Sequence, residues 1–170
     1  MRNIDWNAVE AAAEFEQIVP GGYVAMIVDA ADEPSKEYIK MDLDIMEGKF
    51  AGYYNNLFDT KGFWGLNLYR SYKGSALGFF KAFKNCVEAS NPGYIFNNDE
   101  KTLKGKVVGI VLGEEEYIKN DGSLNTRIYV AATKSVDDIK AGKYKVPALK
   151  KLPENTAPSG FNPSNESTPF

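Results

Sequence analysis

The sequence contains no histidine and a single cysteine, Cys86, and these two shortages remove most of the chemistry open to a small enzyme. A thiol or hydroxyl nucleophile is usually activated by an imidazole base, and no imidazole is present. Zinc sites draw on cysteine and histidine, and the remaining carboxylates do not follow calcium-loop spacing, so no metal is expected. One thiol cannot close an internal disulfide. No apolar run reaches the roughly 18 residues of a membrane-spanning helix, and Met1 to Asp5 lack the apolar stretch of a secretory signal. These absences predict a cytoplasmic protein that uses no cofactor and is not an enzyme.

Net charge is also small, −3 over 170 residues, but it is unevenly spread. Residues 34–84 and 101–151 are basic, and the stretches before, between and after them are acidic. Aromatic residues make up 13%, more than the interior of one small barrel demands, so some are expected to face outward. The length suits one domain with appendages.

Asp5 can cap a helix over 6–18, rich in alanine and stopped by Pro20-Gly21-Gly22. Residues 23–30 read as a first strand. Residues 38–47 alternate, with Ile39, Met41, Leu43 and Ile45 toward a core and Lys40, Asp42 and Asp44 toward water. After a turn at Glu47-Gly48-Lys49, residues 50–58 read as a third strand crowded with aromatics, while 61–73 fit neither strand nor helix periodicity. Ser75 can cap a helix over 76–89 whose stripe is Leu77, Phe80, Phe83 and Val87. Strands at 105–113 and 127–132 flank a hairpin tip at 119–123. Three strands, a helix and a two-stranded hairpin are the element order of a five-stranded OB-fold barrel, an all-β fold with helical additions. The expected organisation is a helical appendage over 1–19, the barrel over 20–152 and a disordered tail over 153–170.

Three segments carry a resemblance: Pro20-Gly21-Gly22-Tyr23, Glu47-Gly48-Lys49-Phe50-Ala51-Gly52, and Leu103-Lys104-Gly105-Lys106-Val107-Val108. In their order and spacing, from Pro20 to Pro153, the chain resembles the small single-stranded DNA-binding proteins encoded by bacteriophages. The tail closes in Pro169-Phe170, as bacterial single-stranded DNA-binding proteins do. The resemblance implies sequence-independent binding and protection of single-stranded DNA in phage replication or recombination, in the cytoplasm of an infected host. It further implies recruitment of replication or recombination proteins by the tip, and homo-oligomers with a dimer favoured. One departure stands out: only Glu166 gives the tip side-chain charge, where bacterial tails carry an acidic run.

Binding a strand without reading its sequence needs cations for phosphates and flat rings for unstacked bases. In an OB fold these converge on the face of the second and third strands and on the loops after strands one and four. The positions expected there are Lys36, Lys40, Tyr53, Tyr54, Phe63, Trp64, Tyr69, Arg70, Tyr72, Lys73, Tyr117, Lys119, Arg127 and Tyr129. Adjacent Tyr53 and Tyr54 would point to opposite strand faces, so one of the two belongs to the core. Trp64 is more often packed than exposed, whereas Tyr129 alternates with Ile128 and Val130 and should face out. The competing reading is a protein-interaction or inhibitor module, with the aromatic stretch at 63–72 as its contact patch.

Overall fold

A computed structural model describes residues 1–11 and 16–153 of the chain. The predicted tail tip, Pro169 and Phe170, lies outside the described residues. Five antiparallel strands run in the order β3-β2-β1-β4-β5: β1 Gly21–Glu33, β2 Tyr38–Ile45, β3 Asn67–Ser71, β4 Val107–Ile118 and β5 Leu124–Lys134. Three α-helices accompany them among the described residues: α1 Tyr53–Lys61 between β2 and β3, α2 Leu77–Ser90 between β3 and β4, and α3 Val136–Lys140 after β5.

Alternation accounts for β2. Ile39, Met41, Leu43 and Ile45 are buried, and their inward face meets Ala25 and Ile27 of β1, Leu68 of β3, and Val108, Ile110 and Leu112 of β4 in one core. On α2, Phe83 and Val87 enter that core and Phe80 packs at its margin. Leu77, expected on the same stripe, stays half exposed, and the helix starts at an Ala76 cap that makes no side-chain bond, not at Ser75. The edge strands β3 and β5 approach each other without a ladder, so the sheet is not closed, and α2 packs against β3, β4 and β5 along that seam.

Two predicted elements are replaced. Residues 50–58 do not form a strand: they turn at 49–52 and enter α1. Gly52 and Gly62 bracket the helix with φ of 77° and 78°, values that a side chain disfavours, and the buried carboxylate of Asp44 binds its first amides. Asp44 therefore does not share a wet face with Lys40 and Asp42. The third strand falls in the stretch that had no clear period: Leu68 points inward between outward Asn67 and Tyr69, and inward Arg70 hides the alternation. The helix expected over 6–18 is not there in the described part, which holds one 3-10 turn, Trp6–Ala8, capped by Asp5, with no helix at 9–11 or 16–18.

After α3 the chain returns across the outer side of β1 and β4 as a strap. A Cβ at Gly22 would overlap the Tyr144 ring, so that glycine makes room for the strap to lie close. Beyond it, Lys150 pairs in parallel with Glu115, its N–H and C=O bonded to Glu114 and Glu116 at 2.9 Å each.

Candidate nucleic-acid interface

The register of β2 against β3 decides which predicted side chains meet. Lys40 stands opposite Tyr69, and Tyr38 opposite Ser71, so all four sit beside one another on the outer face of the sheet. The Tyr38 and Tyr69 rings make an edge-to-face pair at 5.2 Å, and Tyr69 is 50% exposed. Tyr38 was missed in the sequence, although its place two residues before Lys40 puts it on the same face. Asn67 and Asp42 complete the row, joined by a 2.6 Å hydrogen bond from the amide to the carboxylate.

The same face is not basic. Across β1, Asp29 lies opposite Asp42, and Glu33 opposite Tyr38, so Lys40 is flanked by carboxylates. Cations gather at the rims instead. Lys36 is exposed in the turn between β1 and β2, and Lys73 is exposed just past β3 at the same end. At the opposite end, Lys61 and Phe63 are exposed beside α1, and Lys119 is exposed at the β4-β5 hairpin tip.

That hairpin extends beyond β1 as an arm. Its outer side holds Arg127, paired with Glu115 at 2.9 Å, with the guanidinium 4.9 Å from the Tyr117 ring centroid. Between the arm and α1 is a cleft of about 240 Å³, lined by Tyr53, Leu57 and Gly65 on one side and Glu114, Thr126 and Arg127 on the other. Next to α1, Phe58 and Trp64 pack at 5.8 Å, and Phe58 is 45% exposed, a second surface ring that sequence reasoning assigned to a strand.

Five predicted contacts are wholly or partly withdrawn from solvent. Tyr54 is 3% exposed in the core, and burial drives its phenol far above the usual range, so Tyr53 is the surface member of that pair. Opposite faces for the two are a property of a strand, and the pair lies instead on α1. Arg70 stands opposite Ile39 and points inward, 5.7 Å from the Phe83 ring, and desolvation lowers its pKa. Trp64 is half buried, and its indole N–H donates to the Leu43 carbonyl at 2.9 Å. Tyr129 does alternate with Ile128 and Val130, which pack on the core, but its ring sits over Gly113 beside Pro147 of the strap. Tyr72 is half buried, with its hydroxyl donating to Asp32 at 2.9 Å.

The described residues thus define an open five-stranded antiparallel sheet with helical additions and an aromatic outer face on β2 and β3. Among them, no three Cys, Asp or Glu residues are grouped to hold a metal, and no helix is long and apolar enough to cross a membrane. No family model matches the chain, and neither does any curated protein.

Proposed function

We propose that the chain is a single-stranded DNA-binding protein of phage type, built on an OB barrel that is open at its β3-β5 seam. The strand order β3-β2-β1-β4-β5 with a helix between β3 and β4 supports the barrel reading, with α1 as an insertion between β2 and β3. The observation that carries the functional reading is the outward trio of Tyr38, Lys40 and Tyr69 on the β2-β3 face.

The charge pattern suits a strand bound with its bases toward the sheet. Rings offer stacking at about 1–3 kcal/mol per base, which every base can use, so no sequence preference arises. Carboxylates beside those rings repel phosphates, while Lys36 and Lys73 at one rim and Lys61 and Lys119 at the other attract them. The same disposition disfavours a duplex, whose bases are stacked inside and whose outer surface is phosphate. In this reading the protein coats and protects single strands in replication or recombination inside the infected host. Its Pro169-Phe170 tip recruits a partner enzyme, and the chain itself catalyses nothing.

The test is fluorescence anisotropy of a labelled oligonucleotide of about 30 nucleotides, long enough for an OB-fold site of roughly 4–16 nucleotides, as single strand and as duplex. Binding to the single strand that weakens steeply with salt supports the proposal. No binding at low salt, or equal affinity for the duplex, overturns it.

A further inference from the structure

Two surface features are left unused by strand binding. The first is an apolar groove of about 340 Å³ near the turn between β1 and β2. Ile39, Phe80 and Phe96 line it, and Leu77 at the start of α2 adds a 50% exposed apolar wall. Its polar lining is Asp32, Tyr72, Asn98 and Glu100, with no lysine or arginine. The Tyr72 phenol is held above its ordinary range, first by its bond to Asp32, then by desolvation and by the charges of Asp32, Glu37 and Glu100. A groove so lined rejects phosphate and favours an apolar group accompanied by cations.

The second is the strap over residues 143–151, Lys-Tyr-Lys-Val-Pro-Ala-Leu-Lys-Lys. Tyr144 packs against Val24, Val111 and Ile139, and the Lys150 backbone is bonded to β4, so the strap is fixed on the β1-β4 side of its own chain. Its outward residues are Val146 at 38% and Leu149 at 40% exposure, with exposed Lys145, Lys150 and Lys151 beside them. Apolar groups between cations on one surface thus complement an apolar groove between carboxylates on another, within the same sequence.

We propose that the strap of one copy docks into the groove of a second copy, Val146 and Leu149 meeting Leu77 and Phe80 while the strap lysines face Asp32 and Glu100. The two patches are different surfaces, so the contact is head-to-tail: each copy that docks leaves one groove and one strap free for the next. Association therefore lengthens with concentration instead of closing at a dimer, and it needs no DNA.

Sedimentation velocity of the full chain, free of nucleic acid, tests this over a range of protein concentrations. The expected result is a sedimentation coefficient that climbs with concentration and falls back with added salt. Lys145→Glu with Lys151→Glu on the strap, or Asp32→Lys with Glu100→Lys in the groove, should each weaken association at least about tenfold, equivalent to 1.4 kcal/mol. An equal mixture of the two variants, with acidic straps now facing basic grooves, should recover it. Leu77→Ser, at a half-exposed position, should weaken association with the fold retained by circular dichroism, which keeps the test valid if a charge variant fails to fold. A wild-type chain that stays monomeric throughout, a dimer that does not lengthen, or association indifferent to both charge reversals and to Leu77→Ser overturns the proposal.

Discussion

The carboxylate of Asp44 on β2 holds the first turn of α1 in place: Oδ1 accepts the Tyr54 N–H at 2.9 Å and Oδ2 the Asn55 N–H at 3.3 Å. Oδ1 also accepts the Ile45 N–H at 2.8 Å, and the residue is only 7% exposed. A buried side chain from the preceding strand thus does the work of a helix cap, because Gly52 at the cap position has no side chain to offer. Asp44→Ala leaves these amides without an acceptor and should destabilise the fold by about 1–3 kcal/mol. Asp44→Asn, which keeps one carbonyl acceptor, should cost less. Urea midpoints of the three proteins decide it, and an unchanged midpoint for Asp44→Ala would show that the cap contributes nothing.

That long-range cap explains where the sequence misleads. Phe50, Tyr53, Tyr54 and Phe58 have strand-forming side chains, and local propensity favours a strand. The helix is selected by an acceptor ten residues upstream and by two glycines at positive φ, neither of which alternation reveals. Conversely β3 escapes notice because an inward position is taken by Arg70, whose stem packs while its charge reads as polar. Where one face is plainly apolar, as on the inner side of β2, periodicity and structure agree, and on α2 they agree for Phe80, Phe83 and Val87 but not for Leu77. Of the site, Lys40 and Tyr69 were legible as residue types, but their pairing required the β3 register.

Tyr69→Ala should weaken single-strand affinity by about 1–3 kcal/mol, the value of one stacked base. The ring is half exposed, so thermal stability should stay within about 0.5 kcal/mol. Lys40→Met should reduce the slope of log affinity against log salt by about 0.7, the share of one phosphate on a single strand. Anisotropy titrations at several salt concentrations measure both quantities. A Tyr69→Ala protein with full affinity would remove the β2-β3 face from the binding site.

Trp64 should behave in the opposite way. Its indole N–H donates to Leu43 at 2.9 Å and its ring leans on Phe58, so Trp64→Phe loses a structural bond. The expected cost is about 0.5–1.5 kcal/mol of stability, with strand affinity affected less than by Tyr69→Ala. Paired melts and titrations separate the two roles. Lost affinity at unchanged stability would make Trp64 a stacking platform.

Glu88 ties the end of α2 to the segment that follows. Its ion pair with Lys84 at 2.9 Å, and then its bond from the Phe96 N–H at 2.8 Å, hold its carboxyl below the usual range. The folded state therefore favours the ionised form. Its contribution is complete above the ordinary glutamate value of about 4.3 and is lost as pH falls through the lowered folded value. Glu88→Gln should melt lower than wild type at neutral pH, and the gap should close on acidification through that window. A gap that stays constant to the lowest pH would mean that the charge on Glu88 is irrelevant to the fold.

Arg70 separates the inward from the outward reading of β3 most sharply. Residue type alone marks it as a phosphate contact, yet its guanidinium faces Phe83, one N–H binds the adjacent Tyr69 carbonyl at 3.0 Å, and Nε is buried without a partner among the described residues. A buried donor with no acceptor costs stability, so an apolar replacement of similar length should relieve it. Arg70→Met is expected to melt no lower than wild type and to leave the salt slope of strand binding unchanged, in contrast to Lys40→Met. If the slope instead falls by as much as for Lys40→Met, the guanidinium must leave the α2 seam to reach a phosphate when the strand binds. The orphaned Nε would then be a donor held in reserve for DNA, and the open β3-β5 edge would be the place where the sheet yields.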